Sequence, residues 1–307
     1  MKVAVIGAGL MGHGIALTMA RAGHDVIVQD PVAAARDALH DRVRTSLGAM
    51  GVAEVDPVLA RIGVSPDIPG AVTGADIVFE AAPEKLPLKK AIFSEIEAAA
   101  PREAILASNT SVIQITTIMD HLAHRDRALG THWWNPPHMI PLVEVVRTEW
   151  TSDAAMDTMM ALLAEAGKSP VRVEKDVPGF IGNRLQHAMW REAINLVERG
   201  ICTAQAVDDV VKASFGRRLA VLGPLENADL VGLELTQDIH RQVLFDLDAR
   251  PDPSPLLQQH LDAGRAGMAA GAGLRDWAPG DVAATSARVA AHLRRVAAWL
   301  DDETGDA

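Results

Sequence analysis

With a single cysteine, Cys202, this chain of 307 residues can form no internal disulfide. A reducing setting such as the cytoplasm is therefore expected. Positive charge is also scarce: 29 lysines and arginines face 40 aspartates and glutamates, a formal net charge of −11. That balance argues against nucleic acid and anionic membranes as main partners. It does not exclude a small anionic substrate, because a few local cations can override the net field. No apolar run reaches the ~18 residues of a membrane span. No charge-rich or low-complexity tract is present either, so the chain reads as globular. What is there is a 49% hydrophobic sequence of a length suited to two domains and a sizeable core.

The N-terminal stretch MKVAVIGAGLMGHGIALTMARAG superficially resembles a secretory signal, but Gly7, Gly9, Gly12 and Gly14 interrupt its apolar middle. It has a better reading. KVAVI, residues 2–6, suits a buried parallel strand; Gly7-Ala8-Gly9-Leu10-Met11-Gly12 follows, then the helix-like IALTMARAG. HDVIVQD is a second strand ending in Asp30. Strand, glycine turn, helix, strand and acid in this order form a dinucleotide-binding fingerprint. Gly7 permits the tight turn, Gly9 lets the backbone approach a pyrophosphate, and Gly12 lets helix and strand pack closely. The helix N-terminus offers free N–H groups to the phosphates. Asp30 can accept hydrogen bonds from ribose hydroxyls and would repel a 2′-phosphate. NAD is thus expected over NADP, with Arg36 read as a solvated helix residue.

Alternation continues through a helical segment near 31–48, a strand ending near Glu80, the helical LPLKKAIFSEIEAAA, the strand of AILASNTS, and ALGTHWW. Strands alternating with helices predict an α/β fold, a Rossmann-type doubly wound sheet, whose ligands sit at the carboxyl ends of the strands. Ser108, Asn109, Thr110, Ser111 and His132 fall at such ends. Pro178 and Gly179 then break the chain, and helical patterns dominate afterwards. The expected division is residues 1–177 for the dinucleotide-binding domain and 178–307 for an all-helical C-terminal domain.

In THWWNPPHMIPLVEVV, two apolar runs flank a proline-rich turn. If they pair as an antiparallel ribbon symmetric about His138, His132 and Glu144 become cross-strand neighbours. The carboxylate would then fix one ring nitrogen and leave the other free as a base. Beside a nicotinamide, such a base would take the proton of an alcohol being oxidised. The alternative is a pair that only staples two strands. His121 and His124 have i, i+3 spacing, but no third ligand lies nearby, and no metal is expected.

GAGLMGHGIA, EAAPEKLPLKK, ASNTS, THWWNPPHMIPLVEVV and KDVPGFIGNRL together resemble the motifs of the 3-hydroxyacyl-CoA dehydrogenase family, in order and over nearly the whole chain. The resemblance implies a homodimer of two-domain subunits, with His132 as base and Glu144 as its partner. It implies that Ser111 contacts the substrate hydroxyl and cofactor, and that Asn183 binds a substrate oxygen across the domain cleft. By the same match Glu84, Lys89 and Asn135 would line the nicotinamide side of NAD. Ser111 and Thr110 could equally cap a helix, and Lys89 could be a solvated helix face.

The sequence departs from the fatty-acyl members at Trp133, Trp134, Pro137, Ile140 and Pro141. The segment DALHDRVRTSLGAMGVAEVDPVLARIG contains no lysine, only Arg42, Arg44 and Arg61. The late glycine-rich loop, AAGAGLRDW, also lacks the family's lysine. NPPHMIPLVEVV and GFIGNRLQHA look instead like the branch holding gulonate 3-dehydrogenase, lambda-crystallin and dehydrogenases of pyridine carboxylates. A small 3-hydroxy acid is therefore favoured as substrate, with a 3-hydroxyacyl-CoA thioester as the alternative and a structural, crystallin-like role as a third possibility.

Overall fold

The computed structural model describes residues 1–304. Its first part alternates β1 (Lys2–Ile6), α1 (Leu10–Arg21), β2 (Asp25–Gln29), α2 (Ala33–Asp37), α3 (Leu39–Met50), α4 (Asp56–Leu59) and β3 (Ile62–Ser65). It continues with α5 (Ile68–Val72), β4 (Ile77–Glu80), α6 (Leu86–Ala99), β5 (Ile105–Ser108), α7 (Ile115–Met119), β6 (Ala128–Trp133), β7 (Leu142–Val146), α8 (Asp153–Glu165) and β8 (Ser169–Val173). Six α-helices follow among the described residues: α9 (Gly182–Glu198), α10 (Ala204–Ala213), α11 (Pro224–Val231), α12 (Leu233–Val243), α13 (Pro255–Asp262) and α14 (Asp281–Thr304).

The eight strands form one sheet in the order β3-β2-β1-β4-β5-β6-β7-β8, and only the β6–β7 pairing is antiparallel. This is the doubly wound, Rossmann-type sheet, and its order reverses between β1 and β4, where such sheets bind ligands. Both faces are covered, which explains why the central strands lack polar alternation. Val3, Val5, Ile77 and Phe79 pack into the core that includes α1, α3 and α8. Ala4, Ile6, Val78 and Leu106 point the other way, among Phe93 and Ile96 of α6 and Ile115 and Ile118 of α7.

Two strands and one helix differ from expectation. β3 and β8 were not expected, and they are the two edges of the sheet. IGVS contains Gly63, and SPVRV opens on a serine and Pro170, so neither carries the apolar run of a central strand. The helical segment near 31–48 is two helices that meet at Ala38.

The chain clusters into two compact units, residues 1–184 with 289 onward, and residues 185–288. The second unit is helical, as expected of the C-terminal part. No helix among the described residues is long and apolar enough to cross a membrane.

Candidate active site

At the glycine turn each of the three glycines has its own physical reason. Gly7 has φ 107°, and a Cβ there would lie 2.8 Å from the Ala81 carbonyl oxygen. A Cβ on Gly12 would sit 1.7 Å from the Gly7 carbonyl oxygen, so only glycine lets α1 approach β1 this closely. A Cβ on Gly9 would meet nothing within 4 Å. Packing does not demand glycine at that position, whereas close approach of a phosphate does. Leu10 is exposed and Met11 half-buried at the start of α1. No side chain caps this helix, which leaves its first N–H groups for an anion. These residues fit NAD.

Asp30 follows β2 and is held from two sides. Its Oδ2 accepts the Ala8 N–H at 2.9 Å and its Oδ1 the Val32 N–H at 2.9 Å. Each oxygen keeps a lone pair for a ribose hydroxyl. Arg36 is not the free helix residue expected: its Nη1 donates to the Asp30 carbonyl at 2.6 Å.

On the other side of the switch point, β6 and β7 pair with His132 opposite Glu144. His132 Nδ1 lies 2.7 Å from Glu144 Oε2, and the two side chains are 4% and 1% exposed. Glu144 Oε1 accepts the N–H groups of Ile181 at 2.8 Å and Gly182 at 3.0 Å. Burial pushes the Glu144 carboxyl up, but the His132 hydrogen bond and the two N–H groups outweigh it and hold it below the usual range. The successive N–H groups point at the carboxylate because Gly179 and Phe180 both adopt positive φ, 75° and 51°. For phenylalanine this conformation costs on the order of 1 kcal/mol. The strained turn places the Phe180 ring 5.6 Å from the His132 ring, with Trp134 5.2 Å away. Among the described residues the only hydrogen bond of the His132 ring is the one through Nδ1, which leaves Nε2 free. A carboxylate on Nδ1 and a free Nε2 make the imidazole competent as a proton acceptor.

Ser111 and Asn183 are brought together: Asn183 Nδ2 donates to the Ser111 carbonyl at 2.8 Å. That bond uses one N–H of the Asn183 amide and leaves the second, while the Ser111 hydroxyl has no partner among the described residues. Asn135 is exposed two residues past Trp133. Glu84 Oε1 accepts the Thr110 hydroxyl, the Ser111 N–H at 3.0 Å and the Val112 N–H at 3.3 Å. Thr110 therefore serves the acid while its Oγ1 also accepts the Ile113 N–H at 3.1 Å. Burial raises the Glu84 pKa, but Thr110, the Lys89 charge and the two N–H groups together hold it low.

Lys89 is not the solvated helix face of the alternative reading. Its side chain is 0% exposed, with the ammonium 2.8 Å from the buried Glu80 carboxylate. Glu80 and Asn109 were given no role by the sequence reading. Asn109 Oδ1 accepts the Trp133 N–H at 2.9 Å and so ties the end of β5 to the ribbon. A charged residue ending the otherwise apolar IVFE was the available signal for Glu80. His121 bonds Ser94, and no cluster of three metal-binding side chains exists among the described residues.

A doubly wound sheet with a glycine turn at its switch point, and a buried histidine–glutamate pair beyond it, defines a dinucleotide-dependent oxidoreductase. The chain belongs to the 3-hydroxyacyl-CoA dehydrogenase family. Residues 2–177 match the family's NAD-binding domain and residues 179–277 its C-terminal domain. It is 35% identical to 5-formyl-3-hydroxy-2-methylpyridine 4-carboxylate 5-dehydrogenase of Mesorhizobium japonicum, over 98% of each chain. It is 38% identical to L-carnitine dehydrogenase of Streptomyces griseus, over 76% of this chain and 70% of that one. A crystal structure of the pyridine-carboxylate enzyme, described as an NAD+-dependent dismutase, superposes with a TM-score of 0.91 over 98% of both chains. The protein is thus an NAD-dependent oxidoreductase of this family.

Proposed function

We propose that this enzyme oxidises the 3-hydroxyl of a small β-hydroxy carboxylic acid, with His132 as general base and Glu144 as its partner. The observation that carries the reading is the buried His132–Glu144 hydrogen bond of 2.7 Å beside a free Nε2. His132 Nε2 accepts the hydroxyl proton, and the Glu144 carboxylate stabilises the imidazolium that results. The Ser111 hydroxyl and the spare N–H of Asn183 orient the substrate oxygens. When bound, NAD supplies the hydride acceptor. Gly7, Gly9, Leu10, Met11, Gly12 and Asp30 would hold its adenosine and pyrophosphate half, and Glu84, Lys89 and Asn135 would line its nicotinamide half.

A free acid is favoured over a CoA thioester because the segment that could meet CoA phosphates holds no lysine and only three arginines, each with a partner in the fold. In the segment from Asp37 to Gly63, Arg42 donates to the Ala8 carbonyl at 2.7 Å, Arg44 pairs with Asp56 at 3.5 Å, and Arg61 pairs with Asp25 at 3.0 Å. The relatives named for carnitine and for a pyridine carboxylate support the same choice. A panel of 3-hydroxy acids and 3-hydroxyacyl-CoAs, followed by NADH absorbance, tests it through kcat/KM. The expected result is a free acid turned over at least as efficiently as 3-hydroxybutyryl-CoA. A 100-fold advantage for the thioester, about 2.7 kcal/mol, overturns the free-acid reading.

We assign residues 1–177 to cofactor binding and 178–307 to substrate binding and dimerisation, and place the enzyme in the cytoplasm as a homodimer. The helical unit supports the dimer: Leu225, Leu230, Leu233 and Phe245 are 65–82% exposed. Apolar surface of this kind is normally covered in an assembly.

A further inference from the structure

Asp176, the acid of KDVPGFIGNRL, lies just past β8 and reaches 60 residues back along the chain. Its Oδ2 accepts both the Thr116 N–H and the Thr116 hydroxyl at 2.7 Å, and its backbone carbonyl accepts Gln114 Nε2 at 2.9 Å. Gln114 and Thr116 stand at the start of α7. Bonds to an ionised carboxylate are roughly twice as strong as neutral ones, and two on one oxygen also fix its direction. Farther along, Asn183 Nδ2 donates to the Ser111 carbonyl at 2.8 Å. Residues 176–183 are therefore tied to residues 111–116 at both ends. Between the ties, Gly179 and Phe180 hold φ of 75° and 51°, and the Ile181 and Gly182 N–H groups reach Glu144 Oε1. A phenylalanine persists in this conformation only where its surroundings over-determine it. Its own ring is 1% exposed, in a core with Ile115 and Ile118 of α7, and the Asp176 tie bears on the same helix.

We infer that Asp176 is a positioning residue for the general base: by anchoring residues 176–178 on α7, it holds the Gly179–Phe180 turn in the conformation that aims the Ile181 and Gly182 N–H groups at Glu144. The inference rests on the reading of Glu144 as the partner of His132. A bare staple between the end of β8 and α7 would bear on stability alone. Here the tie has a chemical consequence, because Glu144 is 1% exposed and the two loop N–H groups help to hold its carboxyl below the usual range. With those donors misaimed, the buried carboxylate favours a proton of its own over stabilising the imidazolium.

The test compares D176A, E144Q and their combination with S152A, which removes the side-chain cap of α8 and so a structural bond alone. kcat and KM are measured on the best substrate of the panel, NAD+ affinity by calorimetry, and stability by thermal denaturation. D176A is expected to lower kcat about tenfold, with KM and the NAD+ Kd within about threefold. S152A is expected to lower Tm and leave kcat unchanged. The D176A/E144Q variant is expected to be no slower than E144Q, because Asp176 acts through Glu144. The inference is overturned by unchanged kcat in D176A, by a loss that falls on KM or NAD+ affinity instead, by an equal loss of kcat in S152A, or by losses that multiply in the double variant. Should D176A fail to fold, T116V removes one of the two bonds on Oδ2. A kcat lowered about twofold or more at unchanged KM then supports the inference, and unchanged kcat overturns it. Normal kcat in E144Q sinks the reading of the His132–Glu144 pair and the inference with it, whereas a slow E144Q beside a normal D176A sinks the inference alone.

Discussion

The glycine turn closes on itself within a short stretch of chain. Its longest side-chain tie, Arg42 to the Ala8 carbonyl, spans 34 residues. The histidine ribbon is assembled from farther afield: Glu144 reaches 37 residues to Ile181, and Asn183 reaches 72 residues back to Ser111. The turn presents backbone N–H groups that need no side chain, whereas the ribbon presents side chains whose charge states are set by burial. The two regions are thus separable in chemistry, and they touch at one seam. There, Gly14 of α1 meets Pro137 and His138 of the ribbon's turn; a Cβ on Gly14 would lie 2.5 Å from Pro137 Cγ.

The sharpest way to break this comparison is at His132. His132→Gln is expected to lower kcat by about 10³-fold while leaving NAD+ affinity within about threefold; a comparable loss of NAD+ binding would mean the regions are not separable. Glu144→Gln should follow, with kcat down on the order of 100-fold. A neutral amide stabilises imidazolium less well, while both loop N–H groups still have an acceptor. Measured in the same assay, near-normal turnover would remove the pair from the chemistry.

The converse substitution lies in the turn. NAD+ should bind on the order of 100-fold more tightly than NADP+, because a 2′-phosphate meets the Asp30 carboxylate. Asp30→Ser should narrow that gap, since Arg36 already lies against residue 30. Calorimetry with both nucleotides checks it, and an unchanged ratio would acquit Asp30. Gly12→Ala should cost about 1–3 kcal/mol of stability and weaken NAD+ binding, because the new methyl meets the Gly7 carbonyl. Thermal denaturation that matches the unaltered protein would contradict this packing.

The smallest expected effect is at the seam. Burial, with the charges of His13 and Lys168 added, lowers the His138 pKa from 6.5 to about 4. The folded state therefore resists a proton that the unfolded chain accepts, so stability should fall as pH drops from 6.5 towards 4. The loss should be about 1–2 kcal/mol, allowing for the partial solvation of this half-buried ring. His138→Gln should flatten the slope, as read from denaturant midpoints at pH 7 and pH 4.5. An unchanged slope would assign the pH dependence elsewhere.

Much of this was legible because the signals are local. Three glycines at fixed spacing, and an acid closing the next strand, announce a turn whose reasons are steric. The placement of His132 opposite Glu144 follows from strand periodicity and the symmetry of one ribbon about His138. The edge strands β3 and β8 were not legible, because an edge needs no long apolar run. Nor was Lys89, whose place in KKAIF looks like any solvated helix position. Only the fold puts the buried Glu80 beneath it.

By itself, then, the sequence determined the alternation of elements, the dinucleotide turn, the acid at its end and the pairing of His132 with Glu144. Each depends on residues close in the chain, or on one period-two register. The tertiary structure alone decided which charges are buried and what each is bonded to. It buried Lys89 against Glu80, set Arg36 against Asp30, and turned the Ile181 and Gly182 N–H groups onto Glu144. Desolvation and hydrogen bonding depend on everything packed around a group, and sequence spacing carries no record of that.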